Sequence, residues 1–84
     1  MLTSDGFELH ANQIWKECDK RFERLVEVMG FVGNYGVRIR TVYLNDSFGM
    51  LTTTNVKRFR KDGRSGGFRF VADNLNLAKE GAPK

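Results

Sequence analysis

Apolar and polar residues alternate with the two-residue period of a β-strand in several short stretches of the chain. From Val37 to Leu44, β-branched residues alternate with arginines before the pattern becomes less regular. Three consecutive threonines, Thr52 to Thr54, favour extended backbone. Phe68 and Phe70 share one face of a third stretch. These patterns predict strands over 36–44, 50–54 and 67–72.

The stretch from Ala11 to Phe31 allows two interpretations, and the fold depends on the choice. Its apolar residues recur at steps of three and four, which is helical spacing. The same residues also divide into two strands, 12–16 and 24–33, joined by a polar loop. We favour the strands because Val26, Val28 and Val32 are β-branched, and because a helix would have no clean stop before Gly30.

One helical turn is predicted between the last two strands. Asn55 is suited to cap it, and Val56 and Phe59, three residues apart, would share its inner side. Five short strands with a helical turn before the last are the layout of an SH3-like barrel, so the predicted class is all-β. The alternative is an α+β fold with an N-terminal helix on a three-stranded sheet. We expect flexible ends at 1–10 and 74–84 around one SH3-like domain at 11–73.

Length and composition exclude most kinds of catalytic site. The 84 residues hold one histidine and one cysteine, His10 and Cys18. These cannot supply a Ser-His-Asp triad, a zinc site or an internal disulfide. The run Glu17, Asp19, Glu23 is interleaved with cations and is interpreted as a solvated mixed-charge face. We expect a non-enzymatic cytoplasmic protein that has no cofactor and no membrane segment.

Positive charge is concentrated in the later part of the chain. Residues 1–36 carry four lysines and arginines against six acidic residues, a net charge of −2, whereas residues 37–84 carry ten against four, a net charge of +6. A local surplus of this kind attracts polyanions. The predicted nucleic-acid contacts are Arg38, Arg40, Lys57, Arg58, Arg60, Lys61, Arg64 and Arg69.

Contacts of this type would bind phosphates without reading base sequence. With four to six phosphates neutralised, log K against log salt should have a slope of about −4 to −5 on duplex DNA. The alternative is ordinary surface charge that protects the edges of a β-protein from aggregation.

Two aromatic residues are candidates for a protein interface. Tyr35 lies between Asn34 and Gly36 in a predicted turn, and Phe48 lies in the next predicted turn. Exposed rings at loop tips can fill a pocket of a partner protein, although packing against the end of the barrel is the simpler interpretation. A second functional hypothesis is therefore a module that docks on a partner protein.

Several short motifs resemble small phage and prophage proteins with an SH3-like (KOW-like) barrel pattern. The matching parts are Ile14-Trp15, Asp19 with Arg21, Arg24 before a valine-rich strand, Val56-Lys57-Arg58-Phe59, and Gly67-Phe68-Arg69-Phe70-Val71. The resemblance implies a small barrel-like module from a mobile element. It carries over no catalytic residues and does not imply which partner is bound. KOW and other SH3-like domains that bind nucleic acid are a more distant analogy at the level of fold.

Overall fold

The computed structural model describes residues 1–18, 24–43, 47–63 and 67–81. These residues form six strands, one turn of 3-10 helix and one short α-helix. The elements in chain order are β1 (Ile14–Glu17), β2 (Leu25–Val32), β3 (Gly36–Val42), β4 (Phe48–Asn55), the 3-10 turn (Val56–Arg58), β5 (Phe59–Arg60), β6 (Phe68–Ala72) and α1 (Leu75–Gly81). The prediction of a mainly β protein is confirmed.

The six strands form one sheet in the order β4-β3-β2-β1-β6-β5. Neighbouring strands are antiparallel except for β5 and β6, which run parallel. The prediction of a five-stranded barrel was wrong, because the sheet is not closed and has a sixth strand. That strand arises because the two residues after the 3-10 turn pair with the start of β6, Phe59 with Phe68 and Arg60 with Arg69.

The N-terminal half is built from strands, so the alternative α+β fold with an N-terminal helix was wrong. Ile14 pairs with Glu27 and Trp15 with Val26 in an antiparallel ladder. Val26 and Val28 point into the core, whereas Glu27 lies on the opposite face beside Arg40. This alternation with a period of two buries both valines. The same residues therefore form a strand and not a helix, despite their helical spacing.

Aromatic rings fill the main core on the inner face of the sheet. Trp15, Phe59 and Phe68 are fully buried. The Phe59 ring stacks on Phe68 at a centroid distance of 4.8 Å and meets Trp15 edge-on at 5.1 Å. Val56 belongs to the same cluster, and the side chain of Asn55 accepts a hydrogen bond from the Lys57 N–H at 2.8 Å. The predicted cap and inner side of the helical turn are therefore confirmed.

A second, smaller apolar cluster lies on the outer face, under α1. Ala78 of α1 packs with Ile14 and Val42 of the sheet. Asn74 accepts a hydrogen bond from the Leu77 N–H at 2.9 Å at the start of the helix. At the other end of the chain, Leu9 is buried in the main core. Both segments that the sequence assigns to flexible ends thus contribute side chains to a core.

Candidate nucleic-acid interface

The period of two along the strands places three cations in one row on the outer face. Lys16 of β1 pairs in register with Arg69 of β6, and Arg69 pairs with Arg60 of β5. Each of the three directly follows or precedes a buried aromatic residue, Trp15, Phe59 or Phe68, which points to the inner face. We call Lys16, Arg60 and Arg69 the basic row. Since neighbouring strands lie about 4.8 Å apart, the row extends over about 10 Å.

The basic row is accessible and forms no ion pair with another described residue. Arg69 is exposed, and Lys16 and Arg60 are partly exposed. None of the ion pairs between described residues includes a member of the row. Lys61 is also exposed and follows Arg60 directly. Its Nζ lies 5.9 Å from the centre of the Phe7 ring, which packs against the main core. Lys61 therefore adds a fourth cation at the edge of the sheet beside Arg60, and not on the outer face that carries the row.

Asp5 is a carboxylate that the fold brings close to this cationic surface. Its Oδ2 accepts a hydrogen bond from the Lys61 backbone N–H at 2.9 Å, and its Oδ1 accepts one from the Thr3 hydroxyl. The Thr3 hydrogen bond is the main cause that lowers the pKa of Asp5, with smaller contributions from the Lys61 N–H and the charge of Arg60. The N-terminal segment is thereby tied to the turn after β5.

The lowered pKa of Asp5 predicts a loss of stability in acid. The stabilising effect is fully present above the ordinary pKa of 3.8 and disappears as the pH falls through the lower pKa of the folded state. We expect Asp5→Asn to remove this component of the pH dependence. Urea unfolding at pH 7 and at pH values below 3.8, followed by Trp15 fluorescence, measures it. Equal pH dependence in the variant and the wild type would contradict the assignment.

Two of the predicted contact residues are held by acidic side chains of the early strands. Arg40 Nη2 lies 2.7 Å from Glu27 Oε1, and its guanidinium lies over the Phe48 ring at 3.7 Å. Arg58 Nη2 lies 3.4 Å from Glu17 Oε1, and its guanidinium lies over the Phe68 ring at 4.5 Å. These two arginines connect strands within the fold, so the basic row is the better candidate for an external phosphate.

The sequence predicts that Glu17, Asp19 and Glu23 lie on a solvated mixed-charge face. This prediction was wrong for Glu17. Only 6% of Glu17 is exposed. Its second oxygen, Oε2, lies 2.5 Å from Arg24 Nε, while Arg24 Nη1 donates to the Thr41 hydroxyl at 2.9 Å. Glu17 is the last residue of β1, and its side chain follows Trp15 onto the inner face. The other two members of the cluster, Asp19 and Glu23, lie outside the described residues.

Replacing Glu17 with glutamine should destabilise the fold. The substitution removes the charge from two ion pairs while keeping the shape of the side chain, so we expect a loss of about 1.5–3 kcal/mol in the free energy of unfolding. The matched control is Glu8→Gln, because Glu8 is exposed and pairs with the Met1 amine at 3.4 Å. We expect a loss below about 1 kcal/mol there. Equal losses in urea unfolding would show that the Glu17 ion pairs contribute no more to the free energy of unfolding than the exposed Glu8 pair does.

The remaining predicted site residues lie away from the basic row or outside the description. Arg38 is exposed on β3, opposite Thr53 of β4. Lys57 is exposed on the 3-10 turn and lines an open groove with Tyr35, which is 62% exposed. Phe48 begins β4 and is 48% exposed. Arg64 lies outside the described residues.

Comparisons of the chain with protein-family models, with curated protein sequences and with solved structures gave no match. The function must therefore be inferred from the geometry of the chain itself. In the parts of the chain that the structure describes, no three acidic, histidine or cysteine side chains are grouped so that they could hold a metal ion. No helix among the described residues has the length and apolar character needed to cross a membrane.

Lys16 is the member of the basic row that the charge pattern of the sequence does not indicate. It lies in the first part of the chain, where acidic residues outnumber lysines and arginines. The signal was present nevertheless, because the predicted strand 12–16 places Trp15 inside and Lys16 outside. What the sequence alone could not give is the pairing of β1 with β6, which joins Lys16 to Arg69 across a separation of more than fifty residues.

Proposed function

We propose that this protein is a non-enzymatic, SH3-like binding module of a phage or prophage that contacts the backbone of a nucleic acid. The observation that carries the proposal is the register that places Lys16, Arg60 and Arg69 side by side on adjacent strands. The turn of helix between β4 and β5 supports the SH3-like relationship. The phage origin is supported by the sequence resemblance alone.

The chemistry of the row suits phosphates better than bases. Arginine presents several N–H donors in a planar fork that fits phosphate oxygens, and lysine adds a point charge. The exposed aromatic residues that the structure describes are Phe31 on β2, Tyr35 in the turn before β3, Tyr43 directly after β3 and Phe48 on β4. None of them lies on β1, β5 or β6, the strands that carry the row. Without a ring for stacking, base-dependent binding has little support, and we expect binding that is independent of sequence.

The salt dependence of binding tests this proposal directly. If Lys16, Arg60, Lys61 and Arg69 each neutralise one phosphate, log K against log salt should have a slope of about −3.6 on duplex DNA. Affinity should then fall by about 150-fold between 50 and 200 mM salt. Fluorescence anisotropy with a labelled duplex, repeated with a second duplex of unrelated sequence, measures both expectations. Absence of binding at 50 mM salt would refute the proposal.

A second candidate function is docking on a host or phage protein, and one feature favours it. Tyr35 lines an open groove of about 510 Å³ together with Met1, Val56 and Lys57. An aromatic side chain beside an apolar groove is a common anchor for a protein partner. Phe48 contributes less to this hypothesis, because Arg40 covers one face of its ring.

Affinity capture from host lysate treated with nuclease separates the two candidate functions. A partner that is retained after nuclease treatment and lost with Tyr35→Ala favours protein docking. Capture that disappears with nuclease favours the basic row.

A further inference from the structure

The two edges of the open sheet differ sharply in how they are protected. The β5 edge is only two residues long and contains Arg60. The β4 edge has eight residues, Phe48–Asn55, with no charged residue and no proline. Proteins commonly shield a long edge strand with lysine, proline or a covering segment, because its free backbone groups can pair with another strand. The β4 edge has none of these side chains, and its bulge, opposite Arg40 and Val42, lies near the start of the strand and leaves residues 51–55 regular.

The side chains of this strand add apolar surface to the free backbone. Met50 is 78% exposed, Leu51 is 51% exposed and Phe48 is 48% exposed. Along one edge, β4 pairs with β3 from Gly36 to Val42. The sheet order places no described strand along the other edge of β4. An uncharged strand with exposed apolar side chains is suited to pair with a second strand of the same kind.

We propose that β4 pairs antiparallel with β4 of a second copy of this chain, which forms a two-fold symmetric dimer with a continuous sheet. The second copy is favoured because β4 meets itself without bringing any charge into the interface. The nearest strand charges, Arg38 and Arg40, lie on β3. Across the dimer the two β3 strands would be three strand spacings apart, about 14 Å, which exceeds the screening length of about 8 Å at physiological salt.

Symmetry restricts the possible registers of this pairing. A two-fold axis perpendicular to the sheet pairs residues whose side chains share a face, so one residue of β4 must lie opposite its own copy. A bulge in β4 opposite Arg40 and Val42 interrupts the alternation before Leu51, so the regular part of the strand is 51–55. With Thr53 on the axis, Leu51 lies beside Asn55 and Thr52 beside Thr54 of the other copy. Cross-strand threonine pairs of this kind stabilise neighbouring strands. The regular part of β4 can therefore pair with a second copy of itself.

The contact area predicts a weak dimer. One edge of a short strand, with its exposed side chains, forms a contact smaller than the about 800 Å² per partner of a standard specific interface. We therefore expect a monomer at low micromolar concentration and a reversible dimer at hundreds of micromolar. The basic row is at the opposite end of the strand order and stays exposed in the dimer. Dimerisation is therefore independent of the proposed nucleic-acid contact.

Sedimentation equilibrium without nucleic acid, from about 10 µM to 1 mM protein, tests the dimer. The variant is Thr53→Lys, which places a charge beside its own copy at the axis. The control is Val71→Lys, because Val71 is also an exposed β-branched strand residue, 37% exposed, but belongs to β6. We expect association in the wild type and in the control, and an association constant at least ten-fold lower in Thr53→Lys. Trp15 fluorescence in urea verifies that both variants are folded.

Amide hydrogen exchange provides a second measurement that does not depend on a substitution. In the wild type, exchange within Phe48–Asn55 should slow as the concentration rises from 10 µM to 1 mM, while exchange within β6 should not change. A monomer throughout this range would overturn the proposal. So would an association that Thr53→Lys leaves intact. An association that both lysine variants abolish equally would also overturn it, since that result would indicate a general effect of net charge.

Discussion

Phe59→Ala is expected to lower the free energy of unfolding by about 3–5 kcal/mol, the range for an aromatic residue truncated in a packed core. Phe59 has no exposed surface, and its ring contacts the rings of both Trp15 and Phe68. It also begins β5, so its packing holds the two-residue edge strand against β6. A small domain has a total stability near the lower end of about 5–15 kcal/mol, so the loss would leave the variant partly unfolded at 37 °C.

Urea unfolding followed by the fluorescence of Trp15, the only tryptophan in the sequence, measures this loss. The matched control is Phe31→Ala, because Phe31 is 40% exposed on β2 and does not belong to either core cluster. We expect the control to lose less than about 1.5 kcal/mol. Equal losses in the two variants would show that the aromatic cluster around Trp15 is not the main source of stability.

Strands β3 and β6 could be predicted because their local pattern is unambiguous. Arg38 and Ile39 alternate as exposed and buried residues on β3, and Phe68 and Arg69 do the same on β6. The open form of the sheet could not be predicted in this way. It depends on β5, which has only two residues and therefore no periodic pattern, and on the parallel pairing that these residues form with β6.

The candidate site was only partly predictable for a related reason. Charge asymmetry along the chain selected Arg60 and Arg69, but it also selected Arg40 and Arg58, which pair with Glu27 and Glu17. These acidic partners come from β1 and β2, so their effect depends on strand pairing rather than on sequence proximity. The sequence shows how many cations a segment carries, whereas the fold decides which of them pair with acidic side chains.

Neutralising two arginines of the basic row is expected to reduce the affinity for duplex DNA by about 200-fold at 50 mM salt. Each phosphate contact contributes about 0.9 to the slope of log K against log salt, and 50 mM lies about 1.3 decades below 1 M, where this electrostatic contribution vanishes. The double variant Arg60→Gln, Arg69→Gln should therefore lose about 2.3 decades of affinity, and its slope should fall from about −3.6 to about −1.8.

The matched control is the double variant Arg38→Gln, Lys57→Gln, which loses the same charge from two exposed residues outside the row. If binding depends on the position of the cations, the control should keep its slope and lose less than about five-fold in affinity through long-range attraction alone. Anisotropy titrations of both variants at 50, 100 and 200 mM salt give affinity and slope together. Equal losses in the two double variants would mean that net charge, rather than the register of β5, β6 and β1, determines binding, and the assignment of the basic row as the contact surface would then be wrong.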